Sequence, residues 1–311
     1  MAKKILKVLK VVIIIIIVLT ALILAFFFYI SRQPAVPKNY VDKVETGGET
    51  EAKYLSYGEF EVKNEKVTVN EPSKEIEIFY PKELENNNAI YPVVLYVNGT
   101  GVSADKYTEV FEHLSSWGFI TIGNEDVASG KGDSSEQTIS YLLEQNENPD
   151  SKFYHKVDTD NIGIVGYSQG GAGMYNAITA TKHSNIYKTG IALSPANEPL
   201  AQNLEYPYDI SKVTIPTLLL AGNGDKMETG YVIPFDTMAE MYDRISSTTK
   251  VMAIKNDKKH EETLYVNDGY VTAWFMYFLK NDEAAGKAFF GNQPELASNK
   301  LYQDVQIIDK K

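Results

Sequence analysis

The sequence predicts an α/β sandwich with a mostly parallel central sheet, preceded by one N-terminal transmembrane helix. Three observations carry this. An uncharged run fills residues 11–30, two short stretches after residue 60 alternate apolar and polar residues, and from residue 91 onward continuous apolar runs alternate with helical patterns. They divide the chain into an anchor over 1–30, a polar tether over 31–53 and an α/β domain over 54–311.

The anchor is "VVIIIIIVLTALILAFFFYI", preceded by the lysines of "MAKKILKVLK". Twenty helical residues span about 30 Å, the thickness of a bilayer's hydrocarbon core. A secretory signal has a shorter apolar region and a small-residue cleavage site. Here the run ends in Phe26, Phe27, Phe28 and Tyr29, without an Ala-x-Ala pattern. It reads as an uncleaved signal anchor, with a cleaved signal as the alternative. Four lysines before the span and only Arg32 just after it place the N-terminus in the cytoplasm and the remainder outside the cell. The expected location is the cell membrane, single-pass.

Residues 1–32 hold five basic and no acidic residues. Taking those five from the 30 basic residues of the chain leaves 25 against 41 acidic, a net charge of −16. Such a domain is a poor partner for nucleic acid. There is no cysteine, which excludes disulfides, thiol nucleophiles and Cys-ligated zinc, and four histidines are too few for a His-rich metal site. No metal or other cofactor is expected. "ETGGETEAK", with Pro34 and Pro37, has no apolar period and reads as the tether.

Within the domain, "KVTVN" and "EIEIFYP" alternate as half-buried antiparallel strands do. "YPVVLYVNG" is a continuous apolar run ending in glycine, as in a strand covered on both faces. There follow a helix over "DKYTEVFEHLSSWG", a strand over "FITIGNED", a helix over "SSEQTISYLLEQN" and a buried strand over "NIGIVGYS". The pattern continues with a helix over "GGAGMYNAITATKH", strands over "TGIALSP" and "IPTLLLAGNGD", and a helix over "IPFDTMAEMYDRIS". It closes with a strand over "TKVMAIKND" and a helix over "GYVTAWFMYFLKND". Sheets of this kind keep their chemistry at the carboxyl ends of the strands.

At one such end stands "GYSQGG", a G-x-S-x-G pattern between a buried strand and a helix. In that context the serine sits on a sharp, strained turn, with its hydroxyl exposed and a helix N-terminus facing developing negative charge. Ser168 is thus the candidate nucleophile. A serine needs a base, usually a histidine oriented by a carboxylate, and the chain order in this arrangement is serine, acid, histidine. Only His183 and His260 follow Ser168. His183 ends a helix, whereas His260 lies in a loop after the last strand of the series, so His260 is the candidate base. His113 and His155 precede the serine and receive no chemistry.

Asp225, ending "TLLLAGNGD", is the candidate acid, in preference to Asp257, which would have to fold back on His260. The oxyanion donors expected are the backbone N–H groups of Gln169, next after the nucleophile, and of Thr100 in "NGTG". Asn98-Gly-Thr also matches a glycosylation acceptor, but a sugar there would block the site.

These residues resemble the α/β-hydrolases of the bacterial cutinase and polyester-hydrolase group, with dienelactone hydrolases and platelet-activating-factor acetylhydrolases as more distant relatives. The likeness runs from about Tyr57 to Phe290. It includes "YPVVLYVNGTG", "LSSWGFITIGNED", "VDTDNIGIVGYSQGG", "IPTLLLAGNGD" and "TAWFMYFLKND". It implies an α/β-hydrolase fold, the same triad of Ser168, Asp225 and His260, and oxyanion donors at Thr100 and Gln169. Cutinase-like relatives usually place aromatic residues at the positions held here by Thr100 and Ala196, forming a clamp for aromatic polyester units. Their absence leaves a general ester hydrolase, acting on small-molecule or lipid-like esters, without polyester specificity. Two rivals remain: a serine peptidase of the prolyl-oligopeptidase type, and a catalytically silent α/β-hydrolase used as a binding module.

Overall fold

The computed structural model describes residues 2–31 and 33–310 and, in the first helix, the side chains of residues 10 and 12–25. The chain forms two units, residues 1–35 and Val36–Lys311. The first is the helix α1 (Ala2–Ser31), whose described apolar side chains, Val12 to Leu24, are exposed. No helix among the described residues is long and apolar enough to cross a membrane. Parts of the expected span, residue 11 and residues 26–30, lie outside the described side chains.

The second unit is built on one sheet of nine strands. These are β1 (Val62–Thr68), β2 (Glu75–Pro81), β3 (Tyr91–Val97), β4 (Ile120–Asn124), β5 (Val157–Tyr167), β6 (Tyr187–Leu193), β7 (Thr217–Gly222), β8 (Thr249–Lys255) and β9 (Tyr302–Asp309). Their spatial order is β1-β2-β4-β3-β5-β6-β7-β8-β9. Strands β3 to β8 run parallel to one another, and β1, β2 and β9 are antiparallel additions at the two edges. The half-buried alternation expected of both leading strands is found in β1 but not in β2, which is buried from Ile76 to Pro81. Edge strand β1 alternates between exposed and half-buried positions, while every residue of β3, β4, β7 and β8 is buried. The pairing of β8 with β9 closes the far edge with a strand lying beyond the last helix expected on sequence.

Helices cover both faces. Successive residues of a strand point to opposite sides. On β5, a Cβ at Gly163 would press on Phe275 of α9 (Asp268–Lys280), while Ile164 lies on the side of Met174 of α5 (Gln169–Ala180). Trp274, fully buried on α9, donates its indole N–H to Thr189 Oγ1 at 2.6 Å, so the helix is pinned to β6 as well as packed on it.

The tether is corrected. Residues 36–53 belong to the compact unit: Val36 and Tyr40 are buried, and α2 (Glu49–Leu55) lies against α9. The stretch has no apolar period because polar contacts to distant residues hold it. The Tyr40 hydroxyl donates to Asp268, and buried Glu51 pairs with buried Lys255 at 2.9 Å. A charged pair out of water needs further partners, and Lys255 also donates to the Val266 carbonyl at 2.6 Å while Tyr302 donates to Glu51 at 3.0 Å.

Candidate active site

Ser168 stands between β5 and α5 at φ 56°, ψ −120°, a conformation that L-residues rarely adopt. Its surroundings leave no choice. A Cβ on Gly166 would collide with the Gly170 carbonyl, and one on Gly170 with the carbonyls of Val97 and Asn98 at the end of β3. The serine is therefore lifted out of the sheet and remains partly exposed, while Tyr167 before it and Gln169 after it are buried.

The loop after β8 delivers His260, whose Nε2 lies 3.0 Å from Ser168 Oγ. The histidine is fixed at several points. Its ring stacks on Tyr167 with centroids 5.1 Å apart, and its carbonyl accepts from Thr263 Oγ1 at 2.8 Å and Tyr167 Oη at 3.2 Å. Its pairing with Ser168 spans 92 residues of sequence, which the parallel sheet brings together by ending β5 and β8 on the same side.

The expected acid is corrected. The carboxylate on the imidazole is that of Glu228, whose Oε2 lies 2.6 Å from His260 Nδ1. Glu228 opens a π-helical turn, Glu228–Val232, beyond β7, and is fully buried. Its other oxygen, Oε1, accepts the Gly222 N–H at 2.9 Å and the hydroxyl of Ser194, a buried residue at φ 45° after β6. Asp225, three residues earlier, meets the backbone instead. Its Oδ2 accepts the His260 N–H at 3.1 Å and its Oδ1 the Glu228 N–H at 2.8 Å. The sequence showed a carboxylate after the strand but not which of two would reach the ring. That depends on the path of the turn and on the one extra methylene of glutamate.

Of the two expected oxyanion donors, Gln169 begins α5 directly after Ser168. Thr100 lies in the loop after β3, where the neighbouring Gly99 has room for nothing larger against Tyr167, with Ser168 Cβ just beyond. That loop is braced by a hydrogen bond from Gly101 N–H to Val127 O at 3.0 Å. The Asn98 side chain is buried and donates to Asn124 O at 2.6 Å and Asp126 O at 2.8 Å, so its amide is occupied in holding this loop. The two positions lacking aromatics differ. Thr100 is exposed, whereas Ala196 is buried among Ala172, Leu200, Ala201 and Tyr206, with its N–H on the Ser168 carbonyl at 3.0 Å.

Elsewhere, His113 pairs with Asp268 and His183 with Glu136, each at 2.6 Å. Among the described residues one acidic trio, Glu75, Glu77 and Glu125, brings its oxygens within 4.8 Å of one another. Lys66 Nζ stands 2.5 Å from Glu77 and 3.4 Å from Glu75, so this cluster already has its cation.

A parallel sheet flanked by helices, with a strained serine after β5 joined to a histidine after β8, is the arrangement of an α/β-hydrolase. The family profile described as PETase, PET hydrolase-like, matches residues 43–305. The chain belongs to the PET hydrolase-like family. The match begins inside the stretch expected as a tether, in agreement with its packing. Among curated relatives, the family member is 24% identical over 233 residues to a protein named chlorophyllase-1, chloroplastic, from Citrus unshiu. It is 24% identical over 214 residues to the protein of the same name from Citrus sinensis. These alignments cover 68% and 61% of this chain, and 66% and 61% of the relatives' own lengths.

Proposed function

We propose that the protein is a serine hydrolase of carboxylic esters, in which Ser168 is the nucleophile, His260 the base and Glu228 the acid. The continuous contact from Ser168 Oγ through the His260 imidazole to the Glu228 carboxylate, at 3.0 and 2.6 Å, is the observation that carries the reading. With Nδ1–H donated to Glu228, Nε2 is the ring's acceptor and takes the Ser168 proton as Oγ attacks the acyl carbonyl. The oxyanion rests on the Gln169 and Thr100 N–H groups. His260 then returns the proton to the leaving alcohol, and water, activated by the same ring, releases the acyl group from Ser168. Family membership supports an ester substrate and the same fold. The two plant relatives, each named chlorophyllase-1, support a hydrolase acting on esters over a peptidase.

The test is labelling with a fluorophosphonate, together with turnover of an ester series beside a peptide-amide series. Ser168→Ala is expected to abolish labelling and lower ester turnover by about 10⁵- to 10⁶-fold with the fold intact. Labelling of a different serine, or faster cleavage of the amides, would contradict the reading.

We further propose that residues 11–30 hold this domain at the outer face of the cell membrane with the N-terminus in the cytoplasm. The uncharged run of the sequence and its lysine flank support this. Removal of residues 1–32 is expected to release an active soluble domain, while the full chain fractionates with membranes. A mature protein beginning near Gln33 would identify a cleaved signal instead.

A further inference from the structure

We propose that Asp225 is a positioning residue, whose carboxylate ties the turn bearing Glu228 to the loop bearing His260 and fixes the registry between acid and base. The proposal rests on the reading of Ser168, His260 and Glu228 given above. Besides the contact of His260 with Glu228 itself, three hydrogen bonds to the main chain join the two loops among the described residues. Gly224 N–H donates to the Lys258 carbonyl at 2.8 Å, Asp257 N–H to Asn223 Oδ1 at 2.5 Å, and His260 N–H to Asp225 Oδ2 at 3.1 Å. Only Asp225 also reaches the acid, through the Glu228 N–H at 2.8 Å. One rigid carboxylate thus spans the main chains of both residues whose side chains must meet.

The same group places a second negative charge near the imidazole without touching it. Burial works to raise the Asp225 carboxyl, but the N–H groups of Glu228 and His260, with the His260 charge, hold it below the usual range. Glu228 from the same turn and Tyr167 from β5 meet the ring, and the other charged groups carried by the two loops are Lys226 on the turn and Asp257, Lys258, Lys259, Glu261 and Glu262 on the ring's own loop. Replacing Asp225 by asparagine removes one charge from this set and keeps one acceptor. Replacing it by alanine removes both acceptors.

The experiment compares Asp225→Asn, Asp225→Ala and Glu228→Gln in the full chain, on a soluble ester, with fluorophosphonate titration to count competent sites. Asp225→Asn is expected to lower kcat about 10- to 100-fold, the scale of a small misplacement of catalytic groups, with KM within about twofold. Loss of the nearby charge disfavours the imidazolium, so the acidic limb of kcat/KM moves to lower pH. Asp225→Ala should lose more, the asparagine acting as partial rescue, and Glu228→Gln most, about 10³- to 10⁴-fold. Independently of turnover, hydrogen exchange at the His260 and Glu228 amides should accelerate in Asp225→Ala while the sheet is unaffected. An Asp225→Asn loss equal to that of Glu228→Gln would make Asp225 the acid and overturn the proposal. An Asp225→Asn enzyme with wild-type kcat and pH profile, or unchanged exchange at both amides, would reduce Asp225 to a turn residue. If Ser168→Ala keeps its turnover, the hydrolase reading fails, and the exchange measurement alone decides on the tie.

Discussion

Two buried histidine–carboxylate pairs in this domain share one distance and do different things. His260 Nδ1 meets Glu228 at 2.6 Å, and His113 Nδ1 meets Asp268 at 2.6 Å. What separates them is the group at the other nitrogen. His260 Nε2 faces the Ser168 hydroxyl, which has a proton to give. His113 Nε2 lies 2.9 Å from the Ser56 carbonyl, which can only accept. A ring that must donate from both nitrogens is an imidazolium. Burial works against that charge, but Asp268 and the carbonyls of Ser56 and Leu55 prevail and hold His113 above the ordinary histidine range. One pair is, in the proposed mechanism, a proton relay at the carboxyl edge of the sheet. The other is a rivet that, with the Tyr40 hydroxyl on Asp268, fastens residues 36–57 to α9. A buried His–carboxylate contact is therefore no sign of catalysis until its third partner is known.

The largest expected contrast comes from removing each histidine. His260→Ala should lower ester turnover by about 10⁵- to 10⁶-fold, with a stability cost of about 1–3 kcal/mol for leaving Glu228 Oε2 without its partner. His113→Gln should leave kcat within a few-fold but cost about 3–5 kcal/mol of stability, because Asp268 is left buried without its counter-charge. Thermal unfolding and steady-state kinetics on both variants check this. A His113→Gln domain as stable as the wild type would break the comparison.

The pH dependence follows with a definite sign. His113 is raised in the folded state, so its stabilisation is complete below its unfolded value of about 6.5 and is lost as pH rises through the higher folded value. Denaturant unfolding from pH 6 upward should show declining stability, and His113→Gln should flatten that decline. A third pair sharpens the point. His183 and Glu136 also meet at 2.6 Å but are each about one-fifth exposed, and His183→Gln should cost no more than about 1 kcal/mol.

Smallest of all is the effect at the mouth of the site. A tyrosine at exposed Thr100 can stack on an aromatic ester for about 0.5–1.5 kcal/mol, roughly three- to tenfold in relative kcat/KM. A tryptophan at Ala196 meets a packed cluster and should cost about 1–3 kcal/mol of stability instead. A Thr100→Tyr enzyme whose preference between aromatic and aliphatic esters is unmoved would show that Thr100 does not line the acyl site.

Much of this was legible in the sequence, and the exceptions have a common cause. Strands β3 to β8 and the serine turn announce themselves because burial on both faces demands unbroken apolar runs, and the strained turn demands Gly166 and Gly170. His260 follows from chain order. Residues 36–53 read as a tether because Tyr40 and Glu51 are held by Asp268 and Lys255, each more than 200 residues away, and contribute no period. Asp225 stood in for Glu228 because both carboxylates follow β7, and only the π-helical turn decides which points at the ring and which caps the backbone. Local patterns specify local structure. A side chain's partner across loops is set by tertiary path.

The central claim is that Glu228 holds the proton-bearing Nδ1 of His260, and proton NMR of that nitrogen tests it most directly. A short hydrogen bond to a buried carboxylate should give a strongly downfield Nδ1–H signal from His260, distinct from that of His113 and absent in His260→Ala. The signal should vanish or move far upfield in Glu228→Gln and persist in Asp225→Asn. Persistence in Glu228→Gln with loss in Asp225→Asn would contradict the account and return the acid to Asp225.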